Sequence, residues 1–558
     1  MKMRIDRRQA LAVLGLGAAL PAKASAASYG GSVSFNHGIA SGDPLADRVI
    51  LWTRITPASA TSEAISYRWT MTPVGSASGE VRSSSGVTDT TQDFTVKVDV
   101  TGLRAGQAYS FQFTANGVTS PTGLTRTLPK GSTKDVVLAV ASCSLYPAGY
   151  FNAYGAIAAL DRVDAVLHLG DYIYEYGGPG SYGMDSAVAG ERPHAPNREI
   201  LSLADYRVRH AQYKSDPNLQ AAHARAPWIV VWDDHETAND SFKDGAENHQ
   251  ADEGAWADRK ARAIKAYYEW MPIREPVGDK LAINRSFHFG DIASLLMVET
   301  RLTARDKQLT YSRDLNGADG KPDAAAFRKK LADPTRKMMG SAQEAWLATE
   351  LNASVKAGRA WQILGNEVIM ARVKVPSFKA EMGEVALSAA LAKLPPEATK
   401  RIDRLEAIAA LGLPYGLDMW DGYLVDRQRL YGLIRKSGAN VVVVSGDSHA
   451  FWANELYDAP EGGNRIAVEF GTTGITSPGG GNALPGIPVG EIYAKANREI
   501  VHNDQLSKGF VLLTLSKTEM KADFVAVSTI VEPSYTTAIA KTFKANPGLT
   551  GVSGLQAV

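Results

Sequence analysis

Six continuous apolar runs recur along this chain: Val136 to Ala141, Ala165 to Leu169, Trp228 to Trp232, Leu295 to Val298, Trp361 to Leu364 and Val441 to Val444. Runs of this length without polar alternation are expected as strands buried on both faces. Helical stretches intervene, notably 253–270, where Trp256, Ala263, Tyr267 and Trp270 recur near helical spacing. An α/β core is therefore expected from about residue 135. In such cores ligands gather beyond the carboxyl ends of strands, so the residues after each run are where chemistry is sought.

Those residues are chemically lopsided. The first run ends in Ser142-Cys143-Ser144, the second in Gly170-Asp171-Tyr172-Ile173-Tyr174, the third in Asp233-Asp234-His235-Glu236 with Asn239 close behind, and the last in Ser445-Gly446-Asp447-Ser448-His449. A single strand that stops at Gly-Asp is often only a turn. Four such endings converging on one sheet edge would place carboxylates, an imidazole, a thiol and a phenol side by side, where they repel or stay unsatisfied unless cations hold them. His168, inside an apolar run, is expected as a satisfied core histidine.

Cys143 is the only cysteine, so no internal disulfide can form, and a lone thiol in an exported protein would be exposed to oxidation unless buried or ligated. Export is expected from the start of the chain: Arg7-Arg8 precede a weakly apolar stretch, and Ala24-Ser25-Ala26 offers a small-x-small cleavage site. The arginine pair is similar to a twin-arginine signal, which would make the folded-export machinery a partner; an ordinary secretory signal is the alternative. No segment is long and apolar enough to anchor the chain in a membrane.

Lys and Arg number 60 against 59 Asp and Glu, without a long basic block, so composition gives no support to a nucleic-acid-binding surface. About 530 residues remain after residue 28, more than one core usually holds. Residues 29–128 read as a β-sandwich: Arg48 to Arg54, Tyr67 to Met71, Phe94 to Val100 and Tyr109 to Phe113 alternate as strands do, and Tyr109 after Leu103 to Ala108 is similar to the tyrosine corner of fibronectin type III modules. The remaining divisions are a signal peptide at 1–28, a catalytic domain at 135–530 and a tail at 531–558 with little periodicity, placed where it can cover the active-site face. A helical insertion is expected at 377–413.

Taken together, Ser142-Cys143-Ser144, Gly170-Asp171-Tyr172-Ile173-Tyr174-Glu175, Trp232-Asp233-Asp234-His235-Glu236 and Ser445-Gly446-Asp447-Ser448-His449 resemble the PhoD-type alkaline phosphatases of the calcineurin-like metallophosphoesterase superfamily. The opening of the β domain, His37-Gly38-Ile39-Ala40-Ser41-Gly42-Asp43-Pro44 with Leu51-Trp52-Thr53-Arg54, is similar as well. The resemblance implies a calcineurin-like β-sandwich core flanked by helices, preceded by a fibronectin III-like β-sandwich. It also implies that Asp171 bridges two metals, that Cys143, Tyr174 and His449 complete a ferric (Fe3+) site, and that Asp234 and Asp447 serve a second ion. Hard anionic oxygens at those two positions favour Ca2+ there, with Zn2+ or Mn2+ as alternatives. His235 would be the catalytic group that is not a ligand, Arg301 a bidentate phosphate clamp, and Asn239 a ligand or substrate contact beside the second ion.

The implied reaction is hydrolysis of small-molecule phosphate monoesters, with diesters as a further class, by attack of a dimetal-bound hydroxide; the ions of such pairs lie about 3.5–4 Å apart. A diesterase acting on lipid or polymer phosphates would use the same residues. An exported, non-catalytic binding module is the reading from another class. The serines beside the ligands lack a Ser/His/Asp arrangement and read as hydrogen-bonding support.

Overall fold

The computed structural model describes residues 28–75, 81–178, 180–549 and 551–558, so the expected signal peptide lies, apart from Ser28, outside the described residues. Two large sheets carry the catalytic region. In one, Asp135–Ala141, Ala165–His168 and Trp228–Val230 run parallel at the centre, and Lys508–Ser516 and Met520–Val527 extend it antiparallel on one side. In the other, Ala293–Met297, Trp361–Gly365, Val441–Ser445 and Arg465–Gly471 run parallel between antiparallel edges.

Alternation along the apolar runs packs the two sheets together. Leu295, Met297, Ile363, Val442 and Val444 join Leu138, Val140 and Leu167 of the facing sheet in one core. Their neighbours Leu296, Val298, Leu364, Val441 and Val443 point the other way, into a second core covered by the helices Ser341–Lys356 and Leu424–Ser437. The continuous apolar runs are thus strands covered on both faces, as their composition requires.

The N-terminal sandwich is present but is not self-contained. One layer comprises Gly123–Arg126, Ala108–Ala115, Ile65–Pro73 and Arg82–Thr88. The facing layer, Ile39–Gly42, Arg48–Arg54 and Thr95–Thr101, continues the first catalytic sheet, because Gly42 pairs in parallel with Trp228. A Cβ at Gly42 would lie 2.0 Å from the Pro272 carbonyl oxygen, so only glycine allows this seam. The Tyr109 hydroxyl accepts the Arg104 amide at 3.0 Å, as a tyrosine corner requires.

The segment beyond residue 530 differs from the expected covering tail. Thr537–Ala545 pairs antiparallel with Met520–Val527 and extends the first sheet. Its exposed residues, Thr537 to Ala540, do not alternate polar with apolar, which hid the strand from the sequence pattern. The 377–413 insertion forms three helices, Phe378–Met382, Glu384–Leu391 and Pro396–Ala410.

Candidate metal centre

Each site residue stands just past a strand end, and backbone hydrogen bonds lace those ends together. The Cys143 amide donates to Gly170 O at 3.2 Å, and the Ser144 amide to Asp171 O at 2.9 Å. The Glu236 carboxylate accepts the amides of Asp171 (3.0 Å), Tyr172 (2.5 Å) and Asp233 (2.7 Å), so one buried side chain fixes the second and third strand ends against each other. Gly170, at φ +101°, passes so near Asp233 that a Cβ would sit 2.3 Å from the aspartate's own Cβ. Cys143, Asp171, Asp240, Asp447 and His449 all have positive φ, which Asp adopts more readily than other side chains, so the strain at this rim falls chiefly on Cys143 and His449.

Three overlapping donor groups result: Cys143, Asp171 and His449; Asp171, Asp234 and His235; and Asp171, Asp233, Asp234 and Asp447, with the donor atoms of each within 4.8 Å of one another. Asp171 belongs to all three, and its Oδ1 is buried without a hydrogen-bond partner. The Tyr174 hydroxyl lies 3.0 Å from Asp171 Oδ2, 3.3 Å from His449 Nε2 and 2.7 Å from Ser477 Oγ. His449 Nδ1 faces Pro478 O at 2.9 Å; a carbonyl can only accept, so Nδ1 carries the proton and the Nε2 lone pair is turned toward Tyr174.

Electrostatically the rim is crowded with anions. Burial, reinforced by Asp233, Asp234 and Glu236, pushes the Asp171 carboxyl well above its usual range against the opposing pull of His235. Burial and Asp233 do the same to Asp447. Burial together with Asp171 raises both the Cys143 thiol and the Tyr174 phenol. Each group thus resists ionising beside its neighbours unless positive charge is supplied.

His235 is a buried imidazole whose Nδ1 lies 2.7 Å from Glu175 Oε2. Its ring packs 4.2 Å from that of Tyr174. Glu175 is itself held by the Asn239 amide at 2.7 Å and Asn248 Nδ2 at 2.8 Å, so the imidazole has a fixed orientation with Nε2 left for other partners.

Two expected substrate contacts have protein partners here. Arg301 is fully buried: Nε bonds Asp233 Oδ1, Nη1 bonds Asp418 Oδ1 at 2.8 Å, and Nη2 remains, 3.8 Å from Asp234 and 3.6 Å from Asp447. Asn239 donates its side-chain nitrogen to Glu247 at 3.0 Å and its backbone N–H to Glu175. Sequence reading passed over Glu175, Asp233 and Glu236 as functional groups although all three stand inside the quoted motifs. Asp418 and Ser477 carried no local signal. His168 is a core histidine bonded to the Tyr154 hydroxyl at 2.8 Å.

Comparison with known proteins gives the family. Residues 138–524 match the model of the PhoD-like phosphatase family and residues 21–129 that of its N-terminal domain. The chain is 34% identical over 517 residues to alkaline phosphatase D of Bacillus subtilis (strain 168), spanning 90% of this chain and 79% of the relative. A solved structure of PhoD superposes with a TM-score of 0.77 at 30% identity, over 96% of this chain and 93% of the other. With both of its domain models matched in order along nearly the whole length, the chain belongs to the PhoD-like phosphatase family.

Proposed function

We propose that the chain is an exported, metal-dependent alkaline phosphatase that releases inorganic phosphate from phosphate monoesters, with phosphodiesters as a second substrate class. Family membership and the relative's name support the reaction class. The observation that carries the metal dependence is the shared Asp171 carboxylate, its Oδ1 buried without a partner, at the junction of three donor groups. Thiolate, phenolate, imidazole and carboxylate from Cys143, Tyr174, His449 and Asp171 fit Fe3+; Asp171, Asp234 and Asp447 offer hard oxygens that fit Ca2+, with Zn2+ or Mn2+ as alternatives. When bound, such a pair of cations lowers the pKa of a water and neutralises phosphoryl oxygens.

The chain's own residues do the rest. Glu175 fixes the His235 ring, so that its Nε2 can hydrogen-bond a phosphoryl oxygen or give a proton to the leaving oxygen. Arg301 acts one step back, holding Asp233 and Asp418 and facing Asp234 and Asp447. Ser477 and Pro478 orient Tyr174 and His449. Metal analysis of the purified protein, paired with monoester and diester assays of the wild type and Asp171→Ala, tests the reading. Full activity after complete metal removal, or in Asp171→Ala, would end it. Export rests on Arg7-Arg8 and on the buried Cys143, whose ligation before translocation would protect the thiol.

A further inference from the structure

A second cluster of chemistry lies on the far side of Tyr172, where the N-terminal sandwich meets the catalytic region. Its centre is Lys214, the last residue of the helix Leu203–Lys214, with only 1% of its surface exposed. Its Nζ lies 3.1 Å from His223 Nε2, 4.5 Å from the Trp52 ring and 5.2 Å from the Tyr172 ring. Among the described residues it forms no ion pair, and burial alone, with no acid beside it, pushes the amine well below its usual range. A bare ammonium in such a place costs several kcal/mol unless something compensates it.

The surroundings are rich in donors and poor in acceptors. From Trp52 the contacts pass to Trp270 at 5.9 Å, to His210 at 6.3 Å and back to Tyr172 at 6.3 Å, which closes a ring of aromatic groups around the lysine. Both ring nitrogens of His210 and the indole N–H of Trp270 are fully buried without partners. With Lys214 as an ammonium, it and the Tyr172 hydroxyl, 2.9 Å away, both face the single lone pair of His223 Nε2, and Nδ1 of that imidazole is buried and unpartnered. The Trp52 indole N–H is already used by Glu269 O at 2.8 Å. The charged group over Trp270 is another cation, Arg54, at 5.3 Å. Buried donors are nearly always satisfied. A water placed here would itself need acceptors, and among these side chains the Tyr172 hydroxyl, one nitrogen of His210 and Nδ1 of His37, whose ring lies 5.1 Å from that of Trp270, can serve. An anion needs none.

We propose that this cluster binds one small inorganic anion of the halide class, with the Lys214 ammonium as its counter-ion and the unpartnered N–H groups of His210 and Trp270 as its neutral donors. The site ties the N-terminal sandwich, through Trp52, to the catalytic helix that carries Lys214 and His210. It uses none of the residues of the metal centre and stands whether or not the metals there are those proposed.

The test is diffraction from crystals of the full, metal-loaded chain soaked in sodium bromide, with data collected at the bromine absorption edge. The expected result is an anomalous peak within hydrogen-bonding distance of Lys214 Nζ, absent in Lys214→Met. Water density at Lys214, or no peak there in crystals whose surface sites take up bromide, overturns the proposal. In solution, wild-type Tm is expected to be several degrees higher in chloride than in gluconate of equal ionic strength, with the difference abolished in Lys214→Met. An equal chloride effect in wild type and variant also overturns it.

Discussion

Replacing Arg301 with methionine should destabilise the metal-free protein far more than the metal-loaded one. The guanidinium is fully buried, bonded to Asp233 and Asp418, with Nη2 3.8 Å from Asp234 and 3.6 Å from Asp447. At those separations an effective dielectric near 20 gives each of the two looser contacts about 4 kcal/mol of Coulomb energy before desolvation is charged against it. Net losses on breaking a buried pair run to about 3–5 kcal/mol, and that is the fall expected in unfolding free energy without metal. With cations on Asp234 and Asp447, Arg301 repels the very ions that compensate those carboxylates, so the loss should shrink to below about 2 kcal/mol. By linkage the variant then binds the second cation more tightly, by about tenfold or more, since 1.4 kcal/mol corresponds to a factor of ten. Urea unfolding of both variants with and without calcium, at unchanged m-value, reads the difference directly. Equal destabilisation with and without metal, or weaker calcium binding in Arg301→Met, would show that Arg301 does not compete with cations for these carboxylates.

Cys143→Ser is expected to remove iron from the purified protein while calcium stays, measured by elemental analysis; loss of both metals or of neither contradicts a thiolate ligand. Glu175→Ala deprives His235 Nδ1 of a charge-assisted hydrogen bond worth about 1.5–3 kcal/mol, so kcat should fall by about 10- to 150-fold with metal content intact. Loss of the metals would instead mean that Glu175 merely holds the fold. His168, held neutral by burial with a pKa lowered to about 3 from 6.5, takes up a proton on unfolding between those values. Stability should therefore fall as pH drops from about 6.5 toward 3, by up to about 1.4 kcal/mol per pH unit from this residue, and His168→Gln should flatten the slope in urea titrations. Arg7→Lys together with Arg8→Lys should retain the protein in the cytoplasm, judged by fractionation; unchanged export points to the ordinary secretory route.

The strand ends were legible because each pairs an apolar run with a donor side chain in one contiguous stretch, and burial on both faces leaves a composition that solvent-facing strands lack. Cys143, Asp171 and His449 therefore converge as their positions implied. The partners of Arg301 were not legible because they lie elsewhere: Asp418 is 117 residues away, and no local pattern tells a buried arginine spanning carboxylates from one facing a ligand. The merging of the N-terminal layer with the catalytic sheet hangs on one pairing, Gly42 with Trp228, which period-2 alternation cannot reveal. Thr537–Ala545 escaped because its first four residues are all exposed and leave only Phe543 and Ala545 buried, too few for a core signature.

Strain and charge at the rim bear on each other. Nine non-glycine residues among those described have positive φ, and five of them, Cys143, Asp171, Asp240, Asp447 and His449, stand at this one site. Conformations of that kind cost on the order of 1–3 kcal/mol at Cys143 and at His449, less at the three aspartates, and persist only where the surroundings over-determine them. Here the over-determination is visible: Glu236 gathers three amides, Cys143 and Ser144 are laced to the Asp171 turn, and Asp234 accepts the Asp240 amide at 2.6 Å. The carboxylates are thus held together by backbone bonds that do not neutralise them, with Arg301 the cation in direct contact. Such a rim is organised for cations before they arrive, so metal binding need not fold it. Metal removal should accordingly lower stability while leaving the strand-end geometry in place, in contrast to small metal-dependent domains, where the apo chain unfolds. Near-unchanged amide exchange protection at Cys143, Asp171 and Asp233 after chelation is the expected result, and general loss of protection there would refute it.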